Sequence, residues 1–417
     1  MSHDDSTREE GTVFYCQVDS YRATKDYLQN GRCVRFLAVR ETEFSADVFG
    51  DGITTLTIDI DFWLYCQHKT RVADWRQVDW TVRKLIEQQD DVLRDGAEWF
   101  RLEVAYRVRS PNYLYRTFSR QLPQYFDIVS LDVHVGGPRL QPPPAARFTP
   151  MQSAAPFTAS PFSQSSDKPY RFDTFHVGQG MCSLVHDGVN GVLLDVGAGK
   201  PITRLDYLNG KIRTNALATV MKRLKLVWLV ISHADSDHWR VMAWDAQLLA
   251  KISRIFAPSG TISVAMQDKA LLKKIEGLND VRWQLSENTT LQIWRSAPPP
   301  SRSDANGECL VAVFERNDKR GLAPGDYVYE RFIVDTNPGI NSLHRNDYAA
   351  VVVPHHGDAA SANSLVRPSS NAKAFFSAGT HQSWNHPTPV STNAHRVGKF
   401  TVISDREQTD ILRVNLI

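Results

Sequence analysis

Within six consecutive positions, His233-Ala-Asp-Ser-Asp-His238, this chain carries two imidazoles and two carboxylates. On an extended-to-turn segment alternate residues face one way, so His233, Asp235 and Asp237 point into one pocket and His238 turns in at the bend. Imidazole with carboxylate suits Zn, Mn or Fe, and four such groups in one loop exceed what a single ion usually takes, so the spacing points to two divalent ions. A pair of ions lowers the pKa of a water from about 15.7 toward ~7, so the chemistry expected is attack of a hydroxide on phosphorus or on a carbonyl carbon. The plainer alternative is a solvated loop in which Asp237 caps a following helix. That alternative leaves unexplained why further carboxylates and histidines end apolar runs elsewhere in the chain.

The elements that would position these groups are short and apolar. Run 191–194 stops at Asp195, run 226–231 just before His233, run 331–334 at Asp335, and run 349–353 just before His355. Strands buried on both faces read this way. Helical spacing intervenes at 216–224 and 241–252, so this half reads as layered α/β architecture with functional groups at strand ends. A stretch rich in Pro, Ser and Ala, 141–169, can bury no core and reads as a linker. Ahead of it, period-2 alternation at 56–64, 100–108 and 129–135 predicts strands, and Trp75, Val78, Val82, Leu85, Ile86 and Leu93 follow helical spacing. The expected organisation is a small α+β domain over 1–140 with a largely antiparallel sheet, the linker over 141–169, and the chemistry-bearing domain over 170–417.

Composition narrows the classes. Apolar residues make up 42% of the 417 and charged residues 23%, enough for real cores, while a net charge of +2 neither demands nor excludes a nucleic-acid partner. The five cysteines are scattered without a C-x-x-C pair, which argues against a disulfide scaffold and for a reducing compartment. The first residues are polar and acidic where a secretory signal would be basic and then apolar, and no apolar run approaches the ~20 residues that cross a bilayer. The chain therefore reads as soluble and cytoplasmic, with no membrane partner. Tyr106, Arg107, Arg109, Tyr113, Tyr115, Arg116, Phe118 and Arg120 interleave basic and aromatic groups; such a mixture can stack on bases, though a sheet edge with a solvated face explains it more simply.

The pattern H-x-D-x-D-H resembles the H-x-H-x-D-H signature of the metallo-β-lactamase superfamily, and the motifs around it are similar to those of the ComEC-type hydrolase domain. Phe175-His-Val-Gly-Gln-Gly-Met181 resembles that family's D-V-G-Q-G-D, Leu193-Leu-Asp-Val-Gly197 its L-I-D-T-G, and Asn306-Gly-Glu-Cys-Leu310 its N-x-x-S-L. Phe332-Ile-Val-Asp335 is set against L-L-T-G-D, Val353-Pro-His-His-Gly-Asp358 against V-P-H-H-G-S, and Ser377 to Pro387 against S-x-G-x-N-N-x-x-G-H-P. The resemblance implies an αββα metallo-β-lactamase sandwich over 170–417. It implies His233 and Asp235 on a first metal, Asp237, His238 and His355 on a second, and Asp335 bridging. Asp195 would orient the ligand loop from behind, and Asp237 and His386 would carry catalysis, His386 by reaching the substrate. Asn306, His356 and Asp358 would lie near ligands or substrate, His356 as a hydrogen-bonded neighbour. The cofactors implied are two divalent ions, Zn or Mn, with Fe allowed by the carboxylate that replaces the usual second histidine.

The function expected is a metal-dependent hydrolase, a phosphodiesterase or nuclease whose substrate is nucleic acid or another phosphodiester. The alternatives are hydrolysis of a lactone, thioester or amide on the same centre, or an effector whose N-terminal domain binds a protein partner. Arg240, Lys222, Arg223 and Lys225 lean toward phosphate.

Overall fold

The computed structural model describes residues 11–28, 31–44, 52–70, 99–134, 136, 140–146, 169–299, 307–380, 385–404 and 407–417. The helix expected over 75–93, most of the linker, and Asn306 lie outside them. The chain forms two compact units, residues 1–141 with 263–272, and residues 142–262 with 273–417. Ten residues from the middle of the second half therefore belong to the first unit, a division the linear reading of the chain did not contain.

In the first unit six strands, β1 (Thr12–Thr24), β2 (Arg32–Arg40), β3 (Leu56–Asp61), β4 (Trp99–Arg107), β5 (Asn112–Arg116) and β6 (Gln124–His134), close into a barrel in the order β1-β2-β3-β5-β6-β4, with every pair antiparallel. Alternation along the strands turns Phe14, Cys16, Val34, Phe36, Ile58, Ile60, Phe100, Leu102 and Val104 into one core, and helix α1 (Phe62–Thr70) adds Phe62, Tyr65 and Cys66. The opposite face of β2, β3 and β5 carries a buried charge network. Arg35 donates from Nε to Asp59 Oδ1 at 2.7 Å and lies 3.3 Å from Asp26, while the hydroxyls of Tyr113 and Tyr115 donate to Asp59 and Asp26. Much of the basic and aromatic stretch is thus barrel wall: Tyr113, Tyr115 and Phe118 are buried, and Arg107 pairs with Asp127 on the surface. Segment 263–272 joins this unit through Asp268, which accepts from the Thr55 amide at 2.8 Å, and through the Gln267 carbonyl, which accepts from the Ile53 amide at 3.0 Å.

The second unit is the αββα sandwich. One sheet runs β12 (Ile275–Leu278), β11 (Ile252–Pro258), β10 (Leu226–Val230), β9 (Asn190–Val196), β8 (Cys182–His186), β7 (Arg171–Phe175), β20 (Arg413–Asn415). The other runs β13 (Val281–Ser286), β14 (Thr289–Arg295), β15 (Leu310–Arg316), β16 (Lys319–Ala323), β17 (Asp347–Val352), β18 (Arg367–Phe376), β19 (Thr401–Ser404). Between them lies a core of Phe172, Val192, Trp228, Phe256, Trp283, Leu291, Phe314, Val352 and Phe375, in which Trp228 meets Trp283 edge-on at 5.4 Å. Helices α2 (Arg204–Leu208), α3 (Ala216–Arg223), α4 (Arg240–Trp244) and α5 (Ala246–Lys251) flank the first sheet; α6 (Tyr329–Val334), α7 (Pro338–Leu343) and α8 (Pro389–Val397) flank the second.

The single helix expected over 241–252 is two, because Asp245 leaves helical geometry and caps α5 by accepting from the amides of Gln247 and Leu248. The run 331–334, expected as a strand, is the second half of helix α6, with Phe332 buried and Ile333 and Val334 exposed. Among the described residues no helix is long and apolar enough to cross a membrane.

Removing a partner from a buried ion pair leaves a stranded charge. Arg35→Met, which strands Asp59 and Asp26, should destabilise the barrel by about 3–5 kcal/mol, read as a lowered urea midpoint of the barrel transition. A midpoint shift no larger than that of a surface Arg107→Met control would show the network to be dispensable.

Candidate metal centre

Parallel pairing fixes where the chemistry gathers. Strands β9 and β10 run side by side in one sheet, as do β16 and β17 in the other. The residues that follow these four strands are Asp195 at the end of β9, the 231–239 loop, the Pro324-Gly325-Asp326 turn, and Pro354–Gly357. Two backbone approaches make the junction. Gly197 packs so closely that a Cβ there would lie 1.5 Å from the Asp237 carbonyl oxygen. Gly325, at φ +60°, leaves no room beside the Ser232 side chain for a Cβ. Asp195, His355 and His356 hold left-handed φ values of 59°, 47° and 54°, a conformation that non-glycine residues keep only where surrounding packing enforces it.

The Asp326 carboxylate stands at the centre, and its two oxygens face different groups. Oδ2 is 3.6 Å from His233 Nε2 and 3.9 Å from His355 Nε2, and His233 Nε2 is in turn 3.5 Å from Asp235 Oδ2. Oδ1 is 3.2 Å from His238 Nε2 and 3.8 Å from His356 Nε2, with Asp237 3.2 Å from His356 Nε2 and 3.9 Å from His238 Nε2. Each side thus offers two imidazoles, one carboxylate of its own and one oxygen of the shared Asp326.

The far ring nitrogens are fixed from behind. His238 Nδ1 bonds Asp195 Oδ2 at 2.8 Å, and His355 Nδ1 bonds Asp358 Oδ2 at 2.9 Å. His356 Nδ1 donates to the Ser377 carbonyl at 2.8 Å, and His233 Nδ1 meets Ser232 Oγ at 3.1 Å. Asp195 also accepts from the Ser232 amide and hydroxyl, and Asp358 from the Ser361 amide and hydroxyl. With Nδ1 engaged, each Nε2 lone pair points inward, the orientation a metal-binding imidazole needs.

The atoms pointing inward lack hydrogen bonds. His233 Nε2, His238 Nε2, His356 Nε2 and Asp326 Oδ1 are buried without a hydrogen-bond partner, and buried polar atoms are ordinarily satisfied. Donor atoms of His233, His238 and Asp326, and those of Asp237, His238 and His356, lie within 4.8 Å of one another in each trio. Three imidazole nitrogens converging with carboxylate oxygens at such spacing fit divalent ions placed between them. Electrostatics agree. Burial pulls the His238 imidazole down, but Asp326 and Asp195 outweigh it and hold it well above its usual range; burial likewise opposes, and Asp326 and Asp237 overcome, a rise of His356 to about 9. Burial raises Asp326, yet the surrounding histidines keep it well below the ordinary carboxylate range. The carboxylates demand positive charge at this point, whether protons or metal ions supply it.

Asp335, set by the sequence as the bridging ligand, is elsewhere. It follows helix α6 and accepts hydrogen bonds from the amides of Ala297 and Asn337 and from the Tyr327 hydroxyl, tying that helix to the end of β14. The residue in its place is Asp326, whose Leu322-Ala-Pro-Gly-Asp326 sequence carries the Gly-Asp that the Phe332-Ile-Val-Asp335 match lacked. The histidine pair is also reassigned: His356 takes the Asp237 and His238 side, and His355 the His233 side. His386 lies over both, its ring centre 5.8 Å from His355 and 6.4 Å from His356. Arg240 is engaged with the Ala198 carbonyl and Ser236 hydroxyl. Lys222, Arg223 and Lys225 precede β10, at the end opposite the ligand loop, so these three do not reach this site.

No family model matches the chain, and no curated protein does. Solved structures do match. YhfI of Bacillus subtilis, a metallo-β-lactamase fold protein, is 12% identical with a TM-score of 0.35, over 59% of this chain and all of that one. CmlA, a diiron β-hydroxylase from Streptomyces venezuelae, is 12% identical with a TM-score of 0.37, over 60% of this chain and 55% of that one. The short form of human tRNase Z is 10% identical with a TM-score of 0.33, over 59% and 99%.

Elemental analysis separates the two carboxylates. Asp326→Asn should abolish stoichiometric metal content, whereas Asp335→Asn should leave it unchanged while lowering the melting temperature; the reverse pattern would restore Asp335 as the ligand. By linkage, an ion present at ~100 times its dissociation constant should stabilise the wild type by about 2.7 kcal/mol, and Asp326→Asn should lose that increment.

The architecture of the second unit is that of the metallo-β-lactamase fold, with its ligand-bearing loops gathered at one end of the sandwich.

Proposed function

We propose that this protein is a metal-dependent hydrolase of phosphodiesters, nucleic acid among them, related in its site to the ComEC-type hydrolases. The observation that carries the reading is the Asp326 carboxylate with a two-histidine set on each oxygen. His233, Asp235, His355 and Asp326 would hold one divalent ion, and His238, Asp237, His356 and Asp326 the other. Such a pair supplies Lewis acidity toward a phosphoryl oxygen and a water acidified to a pKa of ~7.

The chain's own groups set the rest. His238 and His356 close the floor of the site, while Asp235 at 37% and His355 at 33% exposure mark its open side, so substrate enters over the first group. Asp237 keeps part of its carboxylate accessible and, held ionised against the cost of burial by His356 and His238, can accept a hydrogen bond that orients the attacking water. Burial, with His356 and His355 beside it, lowers His386 to about 3, so its ring is neutral at physiological pH. A neutral imidazole is a poor proton donor but a good N–H donor, which favours hydrogen bonding to a phosphoryl oxygen over protonating the leaving group. Each ion would have equal numbers of imidazole and carboxylate donors, a harder set than one rich in histidine, and this favours Mn or Fe over Zn.

The test uses the full chain, stripped with EDTA and reloaded with Mn or Zn, against single- and double-stranded DNA, RNA, bis(p-nitrophenyl) phosphate, a lactone and a thioester. Phosphodiester cleavage should be faster with Mn and fall about 10³-fold or more in Asp237→Ala. Turnover of the lactone or thioester alone would leave a hydrolase but remove the phosphodiester assignment; no turnover of any substrate would remove both. His386→Asn should lower kcat by about 10²-fold at unchanged metal content, and a loss of bound metal instead would make His386 a ligand.

A further inference from the structure

The second unit holds a cavity of about 410 Å³ at the end of the sandwich away from the metal centre, lined by residues that include Pro169, Arg171, His186, Asp187, Val220, Arg223 and Arg413. The hairpin between β8 and β9 and the end of α3 form its walls, whereas the ligands Asp195 and His233 follow β9 and β10 at their other ends. The seven residues of β9 separate the two places by roughly 20 Å. A ligand here would not touch the centre already described.

Three arginines line this space, Arg171, Arg223 and Arg413. The side chains of Arg171 and Arg223 are exposed and make no hydrogen bond or ion pair among the described residues. Arg413 Nη1 is 3.6 Å from Asp173 Oδ2 and its side chain is 39% exposed. The carboxylates nearby are committed: Asp187 caps the hairpin by accepting from the amides of Val189 and Asn190 at 2.7 Å, and Asp173 accepts from His186 Nε2 at 2.8 Å. His186 Nδ1 accepts from the Gly188 amide, so both ring nitrogens are engaged. The ring contributes a flat wall. Val220 and Pro169 add apolar surface to the same cavity.

Arginines lining a concave space, two of them without an ion pair among the described residues, select planar, multidentate anions, phosphate above all. The volume falls within the ~300–1,000 Å³ range of small-molecule sites, well beyond a bare inorganic ion, and the apolar wall suits an organic group. We propose that this cavity binds an organic phosphate monoester, its phosphoryl group among Arg171, Arg223 and Arg413 and its organic part against Val220, Pro169 and the His186 ring. Free nucleotides and the 5′-phosphorylated end of a strand both present this chemistry.

The test is calorimetric titration of the full-length, EDTA-stripped protein, in which any metal-dependent binding at the other centre is silent. Adenosine 5′-monophosphate should bind at millimolar concentration or below and adenosine should not. The double variant Arg171→Ala/Arg223→Ala should weaken binding about tenfold or more, and Arg223→Ala alone, at an exposed helix end, should weaken it measurably with unchanged circular dichroism. Asp326→Asn should leave binding intact. Comparing a 5′-phosphorylated oligonucleotide with the mononucleotide identifies the source, and tight binding of either supports the site. Equal binding of adenosine, unchanged binding in the double variant, loss of binding in Asp326→Asn, or no binding by the wild type would each overturn it. None of these outcomes depends on the hydrolase activity, so failure here and failure of the proposed reaction are separate results.

Discussion

One carboxylate organises the second unit. Asp326 sits buried with imidazoles on both of its oxygens and with Asp235 and Asp237 beyond them. Two like charges about 4 Å apart at an effective dielectric constant near 20 repel by about 4 kcal/mol, so three crowded carboxylates cannot remain ionised without positive charge among them. The same carboxylates raise His238 and His356 against burial, which favours protons as one source of that charge. Divalent ions would supply it more compactly and would satisfy the ring nitrogens left without partners among the described residues. The cluster has the donor set to hold cations before any substrate is considered.

The sandwich provides the rigidity this crowding demands. Left-handed backbone at Asp195, His355 and His356 costs of order 1–3 kcal/mol each, and it persists because the strands that deliver these residues are buried on both faces and locked in parallel register. The layer of orienting groups is equally determined. Asp195 binds one ligand imidazole and the backbone of the adjoining loop, while Asp358 binds another and caps the turn at Ser361. A carboxylate at 358 gives His355 a charged partner where the ComEC-type motif has serine.

Much of this was legible in the chain. Apolar runs ending at His233 and His355 are strand ends, and the spacing of His233, Asp235, Asp237 and His238 brings all four to one pocket. What misled was apolarity without periodicity. Ile333 and Val334 look like the close of a buried strand, but they are exposed on a helix whose buried residues are Tyr329 and Phe332. The bridging carboxylate was therefore sought after that run, although a strand, a proline and a glycine precede Asp326 nine positions earlier. The choice between His355 and His356 had no signal to find, because both adopt left-handed φ and strand alternation no longer says which ring faces inward. Closure of the first unit into a barrel was equally hidden: alternation identifies half-buried strands but says nothing of whether the first strand returns to pair with the fourth.

The first unit contains a passage borrowed from far along the chain, Ser263–Leu272. The polypeptide consequently passes between its two units three times, near 141, 262 and 272, where a simple fusion of two modules would pass once. No single recombination event can exchange either unit intact, since any breakpoint leaves one piece carrying a fragment that belongs to the other. A ribosome making this chain likewise cannot complete the first unit until nearly two thirds of the protein has emerged, although its six barrel strands are all made by His134.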